Sequence, residues 1–198
     1  MEQTRNPVTR QPAGGRGARE RILRAAGELF YRNGINSTGM EQLTTVAHVS
    51  KRSFYQHFTG KDELIQRYLE RWEGNPRLTP TLLARTDLTP RERLLAAFDE
   101  PAGGLRPRGC PFHNAAVELP AEDAPSEPAV HRYKEAVRVG LVEVAEQAGA
   151  RDPEALGGQL AVLLEGAGAL ATSVGHVGPY RDAQAAAAAL VTAQCGPA

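Results

Sequence analysis

The chain has 198 residues, 41% hydrophobic and 23% charged, with 23 basic against 23 acidic side chains and a formal net charge of +0. That length holds one sizeable domain or two small ones, and charge is too interspersed among the apolar residues for a membrane span. No apolar run follows the N-terminal arginines, so no secretory signal is expected and a cytoplasmic location follows; two cysteines there do not make a disulfide framework.

The neutral total conceals a gradient. Up to Lys61 there are ten basic and four acidic residues, about +6, which leaves about −6 for the remainder. A basic N-terminal part on an acidic body suits a protein that meets a polyanion at one end only. Residues 1–15 are Pro, Gly, Thr and Arg with little to bury, and disorder is expected. Such an arm either lies along nucleic-acid phosphates or in a minor groove, or is an inert tail.

A first helix is predicted over Ala18–Asn33, where Ile22, Leu23, Ala26, Leu29 and Phe30 form one apolar stripe and Gly34 supplies a left-handed stop. Thr38 with Glu41 reads as a capping box opening a second helix that runs to about Ala47 and buries Leu43, Val46 and Ala47. His48-Val49 makes a turn, and Ser50 is the N-cap of a third helix over Lys51–His57. Phe54 and Phe58 are four apart and point inward, which leaves Lys51, Arg52, Ser53, Tyr55, Gln56 and His57 outside. A short helix with an aromatic inner side and a basic, hydrogen-bonding exterior fits a DNA major groove. An ordinary helical hairpin with a solvated face has the same spacing.

The stretch from about Arg19 to Leu64 resembles the DNA-binding domain of the tetracycline-repressor (TetR) family of transcriptional regulators. The resemblance is carried by Ile22-Leu23-Arg24-Ala25-Ala26, Leu29-Phe30, Asn33-Gly34-Ile35, Thr38, the run Val49 to Phe58, and Lys61-Asp62-Glu63-Leu64. It covers about a quarter of the chain. It implies an all-α protein: a three-helix helix-turn-helix domain over 16–61, then a helical effector-binding and dimerisation domain over 62–198. It also implies DNA contacts from Thr38, Ser50, Lys51, Arg52, Ser53, Tyr55, Gln56, His57 and Lys61. Arg52, Ser53 and Gln56 are suited to base edges, and Thr38, Tyr55, His57 and Lys61 to phosphates.

Helix four is expected from Lys61 through Trp72, stopped or kinked by Gly74, Pro76 and Pro80. By the resemblance it links the DNA-binding part to the body. A helix over Pro90–Asp99 follows, then a Gly/Pro-rich loop over 101–111, a short helix ending near Leu119, and a second breaker-rich loop over 120–128. Long helices are predicted over Ser126–Ala148, Pro153–Val174 with Asp152 as N-cap, and Pro179–Ala193. The penultimate helix has a core stripe of Leu156, Leu160, Leu163, Leu164, Ala167, Leu170, Ala171 and Val174. It also holds Gly157, Gly158, Gly166 and Gly168, each costing about 1 kcal/mol against Ala in a helix. Close helix–helix approach would compensate. In the family the last two long helices form a four-helix dimer seam, which here implies Leu156, Leu160, Leu163, Ala167, Leu170 and Leu190; packing inside one subunit is the other reading.

Effector-lining candidates in the body are Trp72, Phe98, Cys110, Phe112, His113, Asn114, Tyr133 and Glu165, each of which also reads as ordinary core or a satisfied polar group. No phosphate loop, catalytic triad or paired-carboxylate motif is visible, so no enzyme and no cofactor are expected. Cys110 and His113 are three apart, too weak a pattern for a metal site. The expected function is a homodimeric regulator of a palindromic operator, most readily a repressor released by a small-molecule effector. The alternatives are a thiol redox sensor using Cys110, and a small-molecule enzyme or carrier with a vestigial DNA-binding head.

Overall fold

The computed structural model describes residues 17–73, 75, 79–100, 108–119 and 124–196. The expected N-terminal arm, the breakers Gly74 and Pro76, and most of both breaker-rich loops lie outside them. All regular structure among the described residues is helical, in two compact units, Met1–Ile65 and Gln66–Ala198.

In the first unit, α1 (Ala18–Asn33) buries Ile22, Leu23, Ala26, Leu29 and Phe30, the expected stripe. Gly34 ends it at φ 97°, and Ile35, 2% exposed, folds back into the core. Helix α2 (Met40–Val46) departs from the expected cap. Its N-cap is Gly39 with no side-chain bond, while Thr38 is fully buried and its hydroxyl donates to the Gly34 carbonyl at 2.7 Å. The end of α1 leaves carbonyls without helical donors, and in this corner the Thr38 hydroxyl satisfies one of them. Val46, expected inside, is 40% exposed. His48 makes the turn at φ 52°, a left-handed backbone that histidine adopts more readily than most side chains. Helix α3 (Lys51–Tyr55) ends two residues earlier than expected, because the amides of His57 and Phe58 both return to the Phe54 carbonyl. The three helices pack pairwise on one another around Leu43, Phe54 and Phe58.

Helix α4 (Lys61–Glu73) contains the boundary between the units. A short α5 (Thr79–Leu83) follows where Pro80 was expected only to break structure; Pro at a first turn is tolerated because its missing N–H has no helical partner there. Thr89 and Glu92 form a capping box on α6 (Pro90–Ala96). Helices α7 (Pro111–Glu118), α8 (Glu127–Gln147), α9 (Pro153–Val174) and α10 (Gly178–Cys195) complete the body. Helix α8 is central, packing on α5, α6, α7 and α9, and α9 packs in turn on α10. Asp152 caps α9 as expected, accepting from the Ala155 amide at 3.0 Å.

Candidate nucleic-acid interface and effector site

The outer side of α3 is smaller than the sequence suggested. Lys51, Arg52, Tyr55 and Gln56 are exposed, Tyr55 by 58%, while His57 and Lys61 are half-buried. Ser50 is exposed, and its hydroxyl accepts from the Ser53 amide at 3.0 Å, so it fixes the start of the helix. Ser53 is 1% exposed with its hydroxyl oxygen buried and lacking a hydrogen-bond partner. It therefore faces the core and not a base edge, and Thr38, fully buried and bonded to Gly34, is not open to a phosphate either. A five-residue helix has room for only one outward arc, and Ser53 lies on the inner side beside Phe54. Two of the arginines in α1 are also committed to the fold. The Arg19 guanidinium lies 5.5 Å from the Phe58 ring centroid, and Arg21 donates through Nε to the Ala47 carbonyl at 3.1 Å.

In the body, α7, α8 and α9 bring together Cys110, Phe112, His113, Tyr133 and Glu165. The Phe112 and Tyr133 rings stack with centroids 4.0 Å apart and planes at 5°. Glu165 accepts from Lys134 and faces His113 Nδ1 at 3.7 Å. Burial pushes the Cys110 thiol up, outweighing the nearby Lys134 ammonium, so it is held neutral. Burial, followed by the neighbouring Cys110, pushes the Tyr133 phenol far up as well, while the nearby Thr79 acts in the other direction. Sequence reasoning missed Lys134 and Thr79. Lys134 directly follows Tyr133, but its pairing with a residue of another helix leaves no local signal. Asn114 serves the loop before α7, donating to the Arg108 carbonyl at 2.7 Å. Phe98, in the turn after α6, is 1% exposed and belongs to the core; Trp72 is half-buried on α4.

The expected dimer face divides in two. Leu156, Leu160 and Ala167 are at most 4% exposed and belong to the subunit's own core, so those three assignments are corrected. They lie on one side of α9, with Ala171, at helical spacing. Away from that line the helix is open: Val162, on the far side, is 74% exposed and Leu170, on the flank, 53%, while Val174, at the helix end, is 48% exposed. With Leu163, Ala186, Leu190 and Ala193, Val162 lines an open apolar depression of about 800 Å³ between α9 and α10. Among the described residues α9 is also the one helix long and apolar enough to cross a membrane. Its composition is that of a helix with a core face on one side and this open apolar face on the other.

Comparison with known proteins places these features. The profile described as "Bacterial regulatory proteins, tetR family" matches residues 22–68. The transcriptional activator FasR of Mycolicibacterium smegmatis is 36% identical over 99 residues, 46% of this chain and 45% of FasR. The transcriptional regulator UidR of Escherichia coli K12 is 33% identical over 87 residues, 44% of this chain and 35% of UidR. The chain thus matches less than half the length of these curated relatives. A crystal structure of a TetR transcriptional regulator from Streptomyces avermitilis superposes with TM-score 0.70 at 32% identity, over 86% of this chain and 97% of that one. A TetR-family regulator from Streptomyces coelicolor gives TM-score 0.78 at 25% identity, over 93% and 100%. With the likeness to the Streptomyces avermitilis protein running through nearly all of that chain, and not through the DNA-binding part alone, this protein belongs to the TetR family of DNA-binding transcriptional regulators.

Proposed function

We propose that the protein is a cytoplasmic, homodimeric repressor of a palindromic operator, released when a small-molecule effector binds the body. The observation that carries the reading is the outer side of α3: Lys51, Arg52, Tyr55 and Gln56 stand exposed on a helix whose inner side is fixed by Phe54, Phe58 and the Ser50 cap. Arg52 suits a guanine edge and Gln56 an adenine edge. Lys51, Tyr55, His57 and Lys61 suit phosphates, which set register without reading sequence. Two-fold symmetry then sets the heads on half-sites about 34–36 Å apart, or a multiple of that.

The effector would meet the cluster around Cys110, Phe112, His113, Tyr133 and Glu165. It shifts the protein only by binding one arrangement of the heads better than the other; a coupling of about 1–3 kcal/mol changes operator affinity about 5–150-fold. A thiol switch at Cys110 is the weaker reading, because burial keeps that thiol protonated and the thiolate is the reactive form. A catalytic role has no support from the relatives, which are regulators.

The test is a duplex selected from a randomised pool and used in a gel mobility shift. The native chain is expected to retard it, and the Lys51→Ala/Tyr55→Ala variant to fail while eluting as a dimer from a sizing column. Retention of binding by that variant would show that α3 is not the reading helix.

A further inference from the structure

Helices α7 and α9 run antiparallel where they meet. Gly109, just before α7, lies against Thr172 and the Gly168 carbonyl, and His113, one turn on, faces Glu165 at 3.7 Å. One further turn along α7 is Val117, 65% exposed, and one turn back along α9 is Val162, 74% exposed. Leu170, 53% exposed, lies about 80° round α9 from Val162, on the flank away from Glu165. At 3.6 residues per turn Glu165 projects only about 60° from Val162, on the rim of the open face of α9. The knot of Lys134, Glu165 and His113 thus borders the exposed Val117 and Val162, one turn away on α7 and α9, and its members keep 30%, 38% and 41% exposure.

Val162, Leu170 and Leu190 lie on the open face, and a Cβ built on Gly158 or Gly166 meets nothing within 4 Å, so the bare backbone there is open to close approach by another helix. No charged side chain lines the depression between α9 and α10. An uncharged apolar face with glycine backbone open to close approach suits a two-fold contact in which the same patch of two identical copies meets itself.

We propose that a second copy of the chain, docking on this face, closes over the Lys134–Glu165–His113 knot, so that Lys134 and Glu165 act as a matched polar pair controlling self-association. This rests on the homodimer reading above and adds α7, through Val117 and His113, to the covered surface. In a single chain the pair is part-solvated and worth little. Closure takes it out of water. The matched pair tolerates that, since each charge offsets the other, whereas removing one partner strands the other. Loss of either charge therefore acts on the dimer, with little effect on the fold of the subunit.

Sedimentation equilibrium of the full chain tests this, with helicity followed by circular dichroism. Glu165→Gln and Lys134→Met are each expected to raise the dimer dissociation constant at least about tenfold. The apolar double variant Lys134→Met/Glu165→Leu should return within about threefold of native. Val117→Asp, outside the pair, should dissociate the dimer with helicity unchanged, and it decides the matter if a single variant loses helical content. Native constants for the single variants, a double variant as weak as the summed singles, or a native constant for Val117→Asp would each overturn the closure and leave the homodimer reading standing. A native chain that sediments as a monomer would overturn both.

Discussion

Adjacent glycines in α9 should respond to the same substitution with opposite signs. A Cβ on Gly157 would sit 2.5 Å from Val142 Cγ2, 2.8 Å from Val142 N and 2.9 Å from Val142 Cα. A side-chain methyl can rotate away, but backbone atoms of α8 cannot, so the two helices must separate. That separation loosens the seam at Leu141, Val144, Leu156 and Leu160, all at most 3% exposed. Overpacking of this kind costs about 1–3 kcal/mol, and the upper part of that range applies when backbone is displaced. The gain in helix propensity returns about 1 kcal/mol, for a net loss of about 1–2 kcal/mol. A Cβ on Gly158 meets nothing within 4 Å, so Gly158→Ala keeps the propensity gain of about 1 kcal/mol. The two variants should differ by about 2–3 kcal/mol, or about 5–10 °C in Tm for a chain of this size. Thermal unfolding is to be compared at one protein concentration, low enough that self-association does not contribute. If Gly157→Ala proves as stable as Gly158→Ala, the close approach of α8 and α9 is not what offsets the glycine.

Ser50→Ala removes the cap of a five-residue helix and should cost about 1 kcal/mol, read as a lower urea midpoint together with weaker operator binding. Ser53→Ala deletes a buried, unpartnered oxygen and should be neutral or stabilising by up to about 1 kcal/mol, with operator affinity unchanged; a Ser53 that reads a base would lose affinity instead. Lys51→Ala should lower the slope of log affinity against log salt by about 1, as one phosphate contact is lost. Alkaline pH should destabilise the fold. Both buried acids are raised above their ordinary values, 9.0 for Cys110 and 10.0 for Tyr133. The unfolded chain therefore releases those protons first, and stability, fully present below about pH 9, falls as pH rises above it. Tyr133→Phe should flatten the part of that loss above pH 10, in unfolding curves measured from pH 7 to 11.

What could be read from the sequence was what depends on local spacing. The stripe of α1, the Ser50 and Asp152 caps and the inward Phe54–Phe58 pair each follow from neighbours within one or two turns. The misses share a different cause. Thr38 has the spacing of a cap, yet its hydroxyl goes to a carbonyl left open by the preceding helix, a competition that only the folded corner decides. On α9 the sequence shows leucine, alanine and valine around much of the helix, so periodicity alone does not separate the core side from the open side. The Gly157–Val142 contact assigns one side to the subunit interior, and the bare Val162 and Leu170 mark the other. The Lys134–Glu165 pair joins residues 31 apart, which no pattern within either helix encodes.

Losing Ser53 and Thr38 from the reading surface has a consequence for specificity. Arg52 on α3 and Gln56 at its C-cap remain as the exposed side chains suited to read base edges. A good bidentate base contact discriminates by about 1–3 kcal/mol, so one head supplies about 2–6 kcal/mol. Specific sites typically stand about 4–10 kcal/mol above non-specific DNA, so one head reaches at most the lower part of that range. Two heads on a symmetric site double the sum to about 4–12 kcal/mol, which spans it. A monomeric chain should therefore bind DNA through Lys51 and its basic neighbours but discriminate poorly among sequences. The comparison to make is operator against scrambled duplex, for the native chain and for Val162→Asp, which places a charge on the open face. The native ratio should exceed the variant's by at least about thirtyfold, the loss of roughly 2 kcal/mol of base reading. Equal ratios would mean that a single head carries the specificity and that the symmetry of the open face serves the body alone.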